Sequence, residues 1–206
     1  MQRILLIETS SRRCSVAVAR DGQICAERGV LDPEGYRHAE ALHPLISEVL
    51  EESGMAVREL TAIAAAQGPG SYTGLRIGLA AAKGLALPWD IPCYGISSLE
   101  VLAEAVREAV DDRNELPIWA ALDARRMEVY AAVFDGQSKE AISETSPVVL
   151  ESNSFGTLQQ PTVAFGYGAL KWQSACENQH ITFSEEHPFP HAQNMGKDAF
   201  KQFTNQ

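Results

Sequence analysis

The residues best suited to chemistry lie in one short stretch, Gly68-Pro69-Gly70-Ser71-Tyr72-Thr73-Gly74. It falls between a strand-like apolar run (61–67) and a helix-like one (75–87). Free backbone N–H groups at a helix N-terminus favour an anion such as a phosphate. The stretch fits no standard nucleotide loop. No Lys-Ser/Thr follows its last glycine, so it is not a Walker A loop, and the third glycine of a dinucleotide fingerprint would fall on Thr73. A nucleophile elbow centred on Ser71 would need glycine at 69 and 73, which are Pro69 and Thr73. The pattern leaves two readings open: a plain tight turn, or a turn that touches a phosphate.

Metal and nucleophile chemistry find little support elsewhere. The five histidines are His38, His43, His180, His187 and His191. His38 and His43 lie about 140° apart round a helix, at ~100° per residue, and cannot share a ligand face. His187 and His191 have helix-like spacing, but Pro188 and Pro190 between them forbid the helix. No H-E-x-x-H or Cys/His quartet occurs, so no metal site is expected. Asp111-Asp112 reads as a solvated boundary, and Asp123-Ala124-Arg125-Arg126 as a salt-bridged turn rather than a catalytic unit. Cys14, Cys25, Cys93 and Cys176 are widely spaced and read as small buried hydrophobes, not as a disulfide framework.

The elements that would position these residues form two series. Residues 3–8 and 14–20 are short, apolar and β-branched. Asp21-Gly22 then signals a hairpin, with 23–30 as the return strand. From His38 the apolar positions Leu42, Leu45, Ile46, Val49 and Leu50 follow helical spacing, and Gly54 stands where a C-cap belongs. Pro44 predicts a late start or a kink. A buried strand (61–67), a helix (75–87, ending at Pro88), a strand (91–94) and a helix from Leu99 to about Val110, capped by Ser97 or Ser98, complete the first series. After the charged break 111–115 come a second hairpin (117–123 and 127–134), short strands at 147–150 and 162–165, and a terminal helix (192–203). The expected architecture is α/β with two lobes, 1–110 and 111–206, each opening with a β-β-β unit.

Within the helix 74–86, Gly74, Gly78 and Ala81 lie within about 60° on one face. Each interior glycine lowers helix stability by roughly 1 kcal/mol, which close approach of another backbone would offset. That neighbour is either the protein's own sheet or a partner helix.

The chain has 206 residues, 45% hydrophobic and 21% charged, with a net charge of -10. That balance is that of a globular protein and excludes collagen, coiled coil and intrinsic disorder. No apolar run reaches the ~18 residues of a membrane span, and the N-terminal run Ile4–Ile7 is too short for a signal-peptide core. A cytoplasmic location is expected. The acidic charge argues against affinity set by direct nucleic-acid contact, which draws on Lys and Arg at phosphates.

Taken together, residues 4–10 (ILLIETS), Cys14-Ser15-Val16-Ala17, GPGSYTGLRIGLAAAKGLAL (68–87), GISSLE (95–100) and DARRMEVYAA (123–132) resemble the TsaB family of bacterial tRNA threonylcarbamoyladenosine biosynthesis proteins. Gly166-Tyr167-Gly168-Ala169 resembles the family's later glycine turn. The resemblance implies the actin/sugar-kinase-like two-lobed fold. It also implies a non-catalytic scaffold that heterodimerises with the catalytic subunit TsaD and recruits the small ATPase TsaE, so that the tRNA adenosine beside the anticodon is threonylcarbamoylated. The chain would meet tRNA only through the complex, would pair with itself when alone, and would not associate with membrane.

The resemblance assigns residues too. The metal-binding histidines of TsaD would fall on Ser98 and Leu102, so no metal and no catalytic residue is expected. Thr9 and Ser10 match the family's first phosphate-loop positions. Glu8 stands where an Asp is usual, so nucleotide binding by the isolated chain is expected to be weak, with ATP or ADP confined to an interface of the complex. The sequence also stops at Gln206, where many members continue, which bears on lobe closure more than on pairing. The partner surface is expected on two helices, at Leu42, Leu45, Ile46, Val49, Gly74, Gly78 and Ala81. The competing readings are a glycoprotease-like hydrolase and an actin-fold small-molecule kinase.

Overall fold

The computed structural model describes residues 1–32, 37–109, 116–138, 140–152, 154, 160–185 and 188–204, with the side chains of 107–109 left aside. The chain divides into two compact units, 1–101 with 190–206, and 102–189. The boundary expected between 110 and 111 lies outside the described residues, as do Asp111-Asp112 and His187. The return of the C-terminal segment to the first unit differs from the expected division into 1–110 and 111–206.

In the first unit, β1 (Arg3–Glu8), β2 (Arg13–Arg20) and β3 (Gln23–Leu31) form an antiparallel meander. Asp21 (φ 49°) and Gly22 (φ 82°) supply the two left-handed residues that a tight hairpin turn needs. β4 (Ala62–Gly68) adds parallel to β1, and β5 (Cys93–Ser97) parallel to β4, giving the order β3-β2-β1-β4-β5. Alternation along the strands splits the core. Leu5, Ile7, Val16 and Val18 face α1 (His38–Ser53) and α2 (Tyr72–Ala86), while Ile4, Leu6, Ala17 and Ala19 face the C-terminal segment. α1 runs through Pro44, and Gly54 closes it in a left-handed C-cap (φ 66°).

The C-terminal segment docks by specific bonds. The Ala192 N–H donates to Ser15 Oγ (3.0 Å), and His191 Nε2 lies 3.2 Å from the Glu27 carboxylate. α5 (Gly196–Thr204) then lays Ala199 and Phe203 on the sheet.

The second unit repeats the topology. β6 (Ile118–Asp123), β7 (Glu128–Phe134) and β8 (Ser146–Val149) form the meander, β9 (Thr162–Phe165) adds parallel to β6, and β10 (Ile181–Ser184) parallel to β9. The sheet order β8-β7-β6-β9-β10 is that of the first sheet, strand for strand. Its core stacks Trp119 edge-on to Trp172 (centroids 5.4 Å apart), and the Trp172 indole N–H donates to the Glu151 carbonyl. α3 (Ser98–Ala109) leads from the first unit into the second, and the single turn α4 (Tyr167–Leu170) follows β9 as α2 follows β4. β10 and α4 were not foreseen as elements. No helix among the described residues is long and apolar enough to cross a membrane.

Candidate functional site

The site predicted from the glycine-rich stretch lies where β1 ends and α2 begins. Ser71 caps α2: its Oγ accepts from the Gly74 N–H (3.2 Å), and its carbonyl accepts from the Leu75 N–H (2.8 Å). Its own N–H donates to the Ser10 carbonyl at 2.6 Å. The loop is thereby fastened to the β1–β2 connection.

The glycines explain how closely the two segments meet. A Cβ on Gly70 would overlap the Ser10 carbonyl, one on Gly74 the Thr9 carbonyl, and one on Gly78 the Thr9 hydroxyl. Only glycine admits this approach. The small-residue face of α2 is therefore turned inward, onto the protein's own β1–β2 loop. That resolves one of the two sequence-based alternatives in favour of the protein's own sheet.

The other residues expected at a partner surface share this fate. Leu42 (0%), Ile46 (3%), Val49 (0%) and Ala81 (8%) are buried in the core beneath α1 and α2, with Leu45 half-buried beside them. The expected interface is corrected accordingly: Gly74, Gly78, Ala81, Leu42, Ile46 and Val49 pack the fold. The physical reason is that an amphipathic helix on a sheet must turn its apolar stripe to that sheet first. The exposed face of α2 lies about a third of a turn away, at ~100° per residue, and carries Thr73, Arg76, Ala80, Lys83 and Gly84. Beyond its end Leu87 is 84% and Trp89 52% exposed. A Cβ on Gly84 would meet open space.

Thr9 and Ser10, the expected phosphate contacts, are buried under the first turns of α2. Glu8 beside them is fully enclosed, its Oε1 accepting from the Ser10 N–H at 2.6 Å. Burial raises the Glu8 pKa to about 7, against the lowering pull of hydrogen bonds from Ser10 and Thr9. Burial, and then the Glu8 charge, push the Cys14 thiol up to about 12. Burial lowers the pKa of His38, at the start of α1, against the backbone of Arg13 and Ser11. A carboxyl closed in among β1, Thr9 and Ser10 does not fit a nucleotide phosphate as it stands.

Among the described residues, no three His, Cys, Asp or Glu side chains gather into a metal cluster. Ser98 and Leu102 are both fully buried in α3. All four cysteines are free, but only Cys14 is buried. Cys25 and Cys93 are exposed and Cys176 is half-buried, which corrects the expectation of four buried thiols.

The β6–β7 turn is salt-bridged, with the cation supplied from outside the hairpin. Asp123 does form an ion pair, but with Lys171 (2.5 Å), 48 residues along the chain. Arg125 (φ 74°) and Arg126 (φ 48°) both adopt the left-handed conformation and stand exposed. The Lys171 ammonium also donates to the carbonyls of Arg126 (2.8 Å) and Glu128 (2.5 Å), so one cation holds both sides of the turn. Sequence could not foresee Lys171, because its partners lie in a distant hairpin.

Comparison with known proteins places these features. Residues 24–185 match the family described as TsaD: tRNA N6-adenosine threonylcarbamoyltransferase. The tRNA threonylcarbamoyladenosine biosynthesis protein TsaB of Escherichia coli (strain K12) is 35% identical over 148 residues, covering 68% of this chain and 62% of that protein. The chain thus spans about three fifths of that relative's length. YeaZ from Pseudomonas aeruginosa superposes with a TM-score of 0.83 at 25% identity, over 99% of this chain and 93% of that one. The (R)-2-hydroxyglutaryl-CoA dehydratase component A of Acidaminococcus fermentans shares the fold alone, with a TM-score of 0.56 at 13% identity over 99% of this chain and 100% of that one. The two β-β-β-opening units are the two lobes of an actin/sugar-kinase-like fold. With one family matched over most of its length, and TsaB proteins among its relatives, the chain belongs to the tRNA N6-adenosine threonylcarbamoyltransferase family, in its TsaB branch.

Proposed function

We propose that this chain serves tRNA threonylcarbamoyladenosine formation as a non-catalytic subunit that pairs with TsaD. Family membership supports the pathway. The chemistry of its residues supports the non-catalytic role: Ser98 and Leu102 stand where the resemblance places the metal-binding histidines of TsaD, and neither side chain suits that task.

The observation that carries the pairing is the exposed face of α2. Thr73, Ala80 and Gly84 are small, and Leu87 is an apolar residue left almost wholly in water. Small residues let a second helix approach closely, and burying Leu87 would supply apolar area at roughly 25 cal/mol per Å². In this reading the same face pairs two copies when TsaD is lacking, and TsaE joins the completed complex. tRNA is reached through the complex rather than by this acidic chain alone. ATP or ADP belongs only at an interface that the complex completes, since Glu8, Thr9 and Ser10 are closed in the isolated chain.

The test is tRNA threonylcarbamoylation reconstituted with TsaD, TsaE and the adenylate-forming activity from the same genome, with and without this chain. Modification should require it. Equal modification in its absence would defeat the reading, as would modification by this chain without TsaD.

A further inference from the structure

The β6–β7 turn sets two arginines in a conformation that their side chains disfavour. Arg125 and Arg126 have φ of 74° and 48°, the left-handed region that glycine or asparagine adopts more readily. The turn is nevertheless firmly built. The Asp123 carboxylate accepts the Arg125 N–H (2.8 Å) and the Lys171 ammonium, and Lys171 donates also to the carbonyls of Arg126 and Glu128. Asp123, the acid next to the arginines, is thus already neutralised by a third cation.

Neither guanidinium makes an ion pair among the described residues, although the chain carries a net charge of -10. Both residues are exposed, with Met127 beside them 42% exposed. Consecutive arginines kept at a disfavoured φ, on a clamped tip and without an internal partner, mark a place where the side chains and not the backbone are needed. Two adjacent guanidinium forks suit phosphate oxygens, which they can bind in bidentate fashion.

We propose that the Arg125–Arg126 turn is a direct contact for the phosphodiester backbone of RNA, so that this subunit touches tRNA itself at one or two phosphates. The inference rests on the proposed function for the identity of the RNA. A pair of arginines on an overall acidic chain gives a contact that positions a substrate held elsewhere, not a surface that binds it alone.

The experiment uses the complex with TsaD, assembled from the wild-type chain, R125Q/R126Q and R125K/R126K. tRNA affinity is measured by fluorescence anisotropy across a salt series, and ATP affinity is measured in parallel. Loss of two phosphate contacts should weaken tRNA binding about tenfold near 0.1 M salt and make the slope of log K against log salt shallower by about 1.5. The lysine pair should keep the slope, and all three proteins should co-elute with TsaD and bind ATP alike. An unchanged slope in R125Q/R126Q overturns the inference. Lost co-elution of that variant alone would assign the tip to a protein partner and overturn it. Weakened ATP binding with an unchanged tRNA slope would assign it to a nucleotide phosphate and overturn the RNA contact. If the wild-type chain itself fails to co-elute, the proposed function falls and takes this inference with it.

Discussion

Gly78 in α2 lies directly against the hydroxyl of Thr9 at the end of β1, with no room for a methyl group between them. That contact decides which way α2 faces, and it carries the first prediction. Gly78→Leu should lower stability by about 1–3 kcal/mol through overpacking, rather than leave a sound protein that merely fails to bind. Gly78→Ala should be milder, because the better helix propensity of alanine, worth about 1 kcal/mol, offsets part of the clash. Thr9→Ala should relieve the rest, so urea denaturation of the two single variants and the double variant should show favourable coupling. Simple additivity would place the two residues apart.

The enclosed carboxyl of Glu8 makes stability depend on pH. Its pKa rises from 4.5 to about 7 on folding, so between those values the folded chain holds a proton that the unfolded chain has lost. Stability therefore falls as pH rises through that window, by up to about 3 kcal/mol, and levels off above it. Glu8→Gln should flatten the window and be the more stable protein at pH 8. Denaturation midpoints at pH 5 and pH 8 check this. A flat profile would show that the Glu8 carboxylate is solvated, and a gain in stability across that range through Glu8 that it is paired.

Left-handed arginines predict a trade between stability and use. Arg125→Asn and Arg126→Gly should each stabilise the second unit by about 1 kcal/mol, because those residues tolerate positive φ. Lys171→Met should do the reverse, by about 1–3 kcal/mol, since it strips a charged partner from Asp123 and from two turn carbonyls. Thermal melts of the three variants measure both signs. Destabilisation by Arg126→Gly would mean that the guanidinium holds the turn.

Much of the first sheet was legible because its signals are local. Asp21-Gly22 marked the hairpin, and the 42–45–46–49 spacing marked the buried stripe of α1, whereas the two faces of the doubly buried strands came only with the structure. The direction of α2 was not legible, because both of its sides carry small residues: Gly74, Gly78 and Ala81 on one, Ala80 and Gly84 on the other. Periodicity reports a face but not what covers it. Only the β1–β2 loop, brought beneath by the sheet, chooses between them. The return of residues 190–206 to the first unit hangs on Ala192 with Ser15 and His191 with Glu27, pairs more than 160 residues apart that leave no local trace. Glu8 was singled out for its type, but its enclosure follows from the same long-range packing.

The central claim is that the outward face of α2 docks TsaD, and size-exclusion chromatography with light scattering tests it most directly. Gly84→Ala should keep the complex and raise thermal stability, because its Cβ enters open space on a helix. Ala80→Arg with Gly84→Arg should stay folded, since both positions are exposed, yet elute apart from TsaD from the same genome. A doubly substituted chain that still co-elutes one to one with TsaD would contradict the account.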